Sequence, residues 1–92
     1  MTGVEFPPGS IGATPGALMA FEASGDNPLA FLFRHLARDW GALDEDDRRE
    51  NELSVREGFR ILSAYTLSNG TKIWLIAEAD RSATTFLLPK EY

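Results

Sequence analysis

The order of local signals along the chain predicts an α+β fold. In it the N-terminal helices, two to three of them, pack on one face of a three-stranded antiparallel sheet. Three observations lead there. Thr14-Pro15, Asn27-Pro28 and Asp44 each open a stretch of helical pattern, from Phe59 the apolar period changes to two, and Asn69-Gly70 with Asp80-Arg81-Ser82 divides the last third into strands.

Residues 1–13 are rich in Gly and Pro, with Pro7, Pro8, Gly9 and Gly12 close together, and read as a flexible arm that contributes nothing to the core. The folded unit is then 14–92. At Thr14 a good N-cap precedes Pro15, which is tolerated at the first helical position, and Leu18, Met19 and Phe21 supply the apolar side of a first helix ending near Ser24-Gly25. After Asn27-Pro28, the residues Leu29, Leu32, Phe33 and Leu36 fall at i, i+3, i+4, i+7, one face of a second helix closed by Asp39-Trp40-Gly41. A third helix starts at Asp44, has acids throughout its first turn, carries only Leu53 and Val55 as apolar residues, and stops at Gly58.

Phe59, Ile61, Ser63, Tyr65 and Leu67 then alternate with Arg60, Leu62, Ala64 and Thr66 along a first strand. Asn69-Gly70 makes a tight hairpin turn, a second strand runs from Thr71 to about Ala79, and a third from Thr84 to Leu88 stops before Pro89. Helices on one face would leave Leu62, Trp74 and Ile76 as an apolar patch on the other, which suits a homodimer interface.

Composition narrows the chemistry. A chain of 92 residues with 43% hydrophobic content suits one small domain, and the lack of cysteine removes disulfides, zinc–thiolate sites and thiol nucleophiles. A net charge of −5 argues against direct nucleic-acid binding and toward a basic protein partner. No secretion signal or membrane-length apolar run is evident, so a cytoplasmic setting is expected. One histidine and no cysteine do not assemble a catalytic constellation, so a binding protein without cofactor or metal is expected in preference to an enzyme.

Several residues stand out as candidates for binding. Asp44, Glu45, Asp46 and Asp47 open the acidic run DEDDRRENE, which could imitate the phosphates of DNA toward a basic partner or simply cap and solvate a helix. Glu78, Asp80 and Arg81 gather at the second turn with Thr84 and Thr85 just beyond, a set able to hold a polar ligand, or else a turn in which Arg81 pairs with a carboxylate. Trp74 belongs to the apolar patch. An alternative ligand site or small active site would join that turn to His35 and Asp39, four apart on one helix, with Tyr65 on the first strand. The ordinary reading of His35 and Asp39 is a helix-end charge pair, and that of Ser63 and Tyr65 is buried hydrogen bonding.

The segments RHLARDWG, GFRILSAYTLSNGTKIW and EADRSATTFLLPKEY, the last being the most specific, resemble a family of small proteins encoded on bacterial plasmids and integrative elements. Its members are often labelled plasmid-related, or labelled as a type I restriction subunit. The resemblance spans Thr14 to Tyr92 and implies a mobile-element setting, in which small inhibitors of host defence, anti-restriction or anti-CRISPR, are one class of function. A modification subunit would need a methyl-donor pocket, and no Gly-rich strand-to-helix turn occurs here.

Overall fold

A computed structural model describes residues 4–92. Its elements run β1 (Ser10–Ala13), α1 (Pro15–Ser24), α2 (Pro28–Leu36), α3 (Glu45–Glu57), β2 (Ile61–Thr66), β3 (Lys72–Ala77) and β4 (Ala83–Leu87), followed by a 3₁₀ turn over Pro89–Glu91. Each helix starts where a side chain satisfies a free backbone N–H. Thr14 accepts from Ala17 at 3.1 Å, Asn27 from Leu29 at 3.0 Å and Asp44 from Asp47 at 2.8 Å. Gly25 and Gly58 close α1 and α3 in the left-handed conformation. The second helix stops earlier than its pattern suggests, at Leu36, and the chain turns away through Arg38 at φ 66°. Gly41 is also left-handed, but its task lies beyond the helix end. It bridges to Ala64 of β2, and a Cβ there would run into the Ala64 carbonyl oxygen.

The sheet corrects the expected architecture. It has four strands in the order β1-β4-β3-β2, and β1 pairs in parallel with β4 while the other pairs are antiparallel. The extra strand comes from the segment read as an arm, whose residues 1–3 lie outside the described residues. Phe6 from the same segment is buried in the core, Glu5 N–H donates to Leu36 O, and the Thr84 hydroxyl donates to Pro8 O at 2.7 Å. Burying a phenylalanine contributes on the order of 2–3 kcal/mol, so this segment is part of the fold. Pro7, Pro8 and the left-handed Gly9 lead into a short strand that holds Gly12.

Alternation in the other strands follows the expected faces. Ile61, Ser63 and Tyr65 of β2, Ile73, Leu75 and Ala77 of β3, and Thr84 and Phe86 of β4 are buried. The apolar members among them pack with Ala17, Phe21, Leu32, Leu36, Trp40 and Phe6. In the hairpin joining β2 to β3 only Gly70 takes a positive φ, and Asn69 instead accepts from the Thr71 N–H through its side chain. On the helices the apolar pattern overstates the core. Leu18, Met19, Leu29 and Phe33 remain more than half exposed, whereas His35, Asn51 and Ser54 are buried.

The outer edge of β2 is closed by two devices. The Asn51 side chain both donates to Leu62 O at 2.7 Å and accepts from Leu62 N–H at 3.2 Å, acting as a strand neighbour made from one residue. Two residues on, Ala64 N–H donates to Trp40 O and Ala42 N–H donates to Ala64 O. The Asn51 bonds hold α3 along the sheet edge, with Val55 against the core and Asn51 reaching the opposite face, and the Ala64 bonds hold the loop before α3 there too. That face is therefore not the open apolar patch expected of helices confined to one side. Ile76 is buried, and Leu62 and Trp74 are half-buried, because α3 and the 3₁₀ turn share the face with them.

Candidate functional site

Between α3 and the sheet lies a groove of about 360 Å³, walled by Asp47, Glu50 and Asn51 on one side, Leu62 and Trp74 on the sheet, and Leu43, Arg60 and Tyr92 around the ends. Its construction is local. Asp47, Glu50 and Asn51 stand at i, i+3, i+4 and so share one face of α3. Leu62 and Trp74 point outward from β2 and β3 because their strand neighbours Ile61, Ser63, Ile73 and Leu75 point inward. The 3₁₀ turn carries Tyr92 back over the sheet, where its ring meets Trp74 edge-on with centroids 5.7 Å apart.

The charge of the groove is uneven. Arg60 donates to the Tyr92 hydroxyl at 3.0 Å and to Glu78 at 3.4 Å, so its guanidinium is held at one end. Asp47 and Glu50 have no ion-pair partner among the described residues. What remains is an aromatic floor beside two free carboxylates.

Of the expected binding residues, the groove unites Asp47 with Trp74. Asp44, Glu45 and Asp46 do not line it: Asp44 caps α3, and Asp46 faces Arg49 at 3.5 Å. Glu50, Arg60 and Tyr92 were not singled out from sequence. Their signals were the helical spacing from Asp47, the outward strand position shared with Leu62, and the closing EY.

The turn set is directed elsewhere. Arg81 sits at φ 60° and points its guanidinium inward, donating to Phe59 O at 2.7 Å, Glu78 O at 2.9 Å, Ala79 O at 3.2 Å and Ser54 O at 2.8 Å. It thereby ties the last turn of α3 to the loop between β3 and β4, a favourable place for a cation. Burial lowers its pKa. Glu78 faces Arg60, and Asp80 accepts from Ser82 N–H at 2.9 Å within its own turn, where the Ser82 hydroxyl first and then that N–H lower its carboxyl pKa. Thr84 is buried and bonded to Pro8, and Thr85 is half-buried. Arg81 pairs with backbone carbonyls, not with the carboxylate expected of it.

His35 and Asp39 also part company. Asp39 pairs with Arg34 at 2.7 Å, and that bond lowers its pKa. His35 is fully buried, its Nδ1 lies 2.6 Å from the Ser63 hydroxyl, and its Nε2 has no hydrogen-bond partner among the described residues. Phe6 and Trp40 pack edge-on against the ring at centroid distances of 5.3 and 5.9 Å. Burial, with a smaller effect from Arg81, lowers the His35 pKa to about 4. Tyr65 donates to Asp39 O at 2.7 Å and is pushed up to about 12, mainly by burial.

A histidine beside a serine thus exists, but inside the core, where it serves as the buried hydrogen bonding expected of Ser63. Among the described residues no group of three or more His, Asp or Glu side chains is placed to hold a metal ion, and no helix is long and apolar enough to cross a membrane. Compared with protein-family models, curated proteins and solved structures, the chain gives no match.

Proposed function

We propose that this chain is a non-enzymatic accessory protein of a mobile genetic element that binds a basic protein partner through the groove between α3 and the sheet, with inhibition of host defence as its role. The observation that carries the reading is the pairing of half-buried Trp74 and exposed Tyr92 with two unneutralised carboxylates in one groove. Aromatic side chains ringed by polar groups are the usual anchors of protein interfaces, and free acids beside them favour a cationic partner. The alternative, a small active or ligand site joining Glu78, Asp80 and Arg81 to His35 and Asp39, finds less support. Those side chains scatter, with His35 in the core and Arg81 committed to four carbonyls.

The mobile-element setting rests on the resemblance of EADRSATT, LLP and EY. It is tested by expressing the chain in cells that carry an active restriction or CRISPR system and counting surviving phage or plasmid. Protection is expected, and it should fall in the double variant Asp47→Asn, Glu50→Gln, whose changes are at exposed positions. Absence of protection across several defence types would end the inhibitor reading. Protection undiminished in the variant would move the contact away from the groove.

A further inference from the structure

We infer that the groove takes an arginine side chain, presented by an exposed segment of the partner protein. The inference rests on reading the groove as the docking face and adds the chemistry of what enters it. Three features combine to favour a guanidinium.

The first is shape. The indole of Trp74 is half-buried, and Tyr92 stands edge-on to it, so the open indole surface offers a plane to a planar cation and Tyr92 closes one end. A guanidinium stacks on such a plane while its N–H groups stay free at the edge, whereas an ammonium needs all three of its donors solvated or bonded.

The second is the position of the acids. Asp47 and Glu50 are one helical turn apart, about 5–6 Å between their Cβ atoms, and both line the same wall. Two carboxylates so placed can divide the N–H fork of one guanidinium, and neither has a cation of its own among the described residues.

The third is what the rest of the groove excludes. Arg60 is fixed at the far end by Glu78 and the Tyr92 hydroxyl. Its charge would repel a second cation there, which leaves the end beside α3 as the place for the incoming group. Asn51 is buried, and its amide spends its oxygen and one N–H on the Leu62 backbone. The chain already uses the same stacking internally, with Arg34 centred 4.7 Å from the Tyr65 ring.

The test uses the full chain labelled with ¹⁵N and two short peptides, identical except for a single arginine or lysine among glycines and serines. The indole N–H signal of Trp74 is identified as the one lost in Trp74→Phe and followed during titration. The arginine peptide should shift that signal and the amide of Leu62 to saturation, and should bind about fivefold or more tightly than the lysine peptide, the scale of one stacked, ion-paired contact. Asp47→Asn with Glu50→Gln should weaken binding about tenfold, the combined scale of two such charge contacts. The control pair Glu45→Gln with Asp46→Asn removes the same net charge outside the groove and should change binding less than twofold.

Equal affinity for the two peptides, equal effects of the two variant pairs, or no shift at Trp74 would each overturn the inference. If these peptides fail while the groove variant still abolishes protection in cells, the arginine assignment alone falls. If they bind as expected while the variant protects fully, the arginine site stands and the contact that carries protection lies outside the groove.

Discussion

Replacing Arg81 separates its structural role from the ligand-binding role that its sequence context suggests. The guanidinium holds four backbone carbonyls, but the four are not equivalent. Ser54 O also accepts from Gly58 and Phe59, and Glu78 O also accepts from the Arg81 N–H, so both keep a partner when the side chain is removed. The contacts to Phe59 at 2.7 Å and Ser54 at 2.8 Å are the shortest and join separate segments. Taking these two at the low end for charged hydrogen bonds, because the site is partly open to water, Arg81→Ala should cost about 3 kcal/mol. For a domain of this size that is a fall in Tm of roughly 12–24 °C.

Arg81→Lys keeps the charge but cannot span the same carbonyls, and should lose most of the same stability. Arg81→Gly removes the side chain together with the strain of φ 60°, and should be more stable than Arg81→Ala by about 1 kcal/mol. Thermal and urea unfolding followed by circular dichroism measure all three. If Arg81→Ala lies within about 0.5 kcal/mol of the parent, a shift no larger than an ordinary surface change, the clamp is not what holds this turn, and Arg81 returns to the set of ligand-binding candidates.

The buried ring of His35 predicts acid sensitivity above the carboxylate range. The unfolded chain takes up a proton near pH 6.5, while the folded chain stays neutral until about 4. Stability is therefore fully present above pH 6.5 and falls progressively toward pH 4, by a total on the order of 3 kcal/mol. Urea midpoints between pH 7 and 4.5 should show this fall, and His35→Gln should flatten it; an unchanged slope in the variant would assign it to other groups. Phe6→Ala should cost about 3 kcal/mol or more, as for a large core ring, and a variant that melts with the parent would show that the segment before β1 is not docked in solution. Gly41→Ala forces both a left-handed alanine and a clash with Ala64 O, for a loss of at least about 2 kcal/mol. A melting temperature unchanged by that substitution would refute the close approach of the loop to β2.

Local signals made the helices and the strand meander readable. Thr14, Asn27 and Asp44 cap as their chemistry dictates, and the period of two from Ile61 assigned inward and outward faces correctly. What stayed hidden depends on contacts between distant residues. Nothing within Ser10–Ala13 announces a strand, since its partner is β4 and the pairing is parallel. Asn51 reads as a solvated helix residue until Leu62 lies beside it. Charge at the second turn suggested a site, yet a left-handed backbone turned Arg81 inward, which no spacing rule anticipates. The groove was half legible. Asp47 and Trp74 could each be singled out, but their meeting required α3 to lie along the β2 edge, and Tyr92 joined them through a turn too short to leave a periodic signal.

The parallel pairing of β1 also sets an order of events during synthesis. The Thr84 hydroxyl and the Pro8 carbonyl it meets are 76 residues apart in the chain, so the segment leading into β1 waits for β4 to be made before it can dock. The β2–β3–β4 meander closes through short loops and can form as soon as it is extruded, whereas β1 and Phe6 must return past three helices and two strands. Until they do, the β4 edge is unpaired and the core lacks Phe6, one of the rings packed on His35. The nascent protein therefore passes through a state with an open strand edge, the stage at which β structure is most exposed to misassembly.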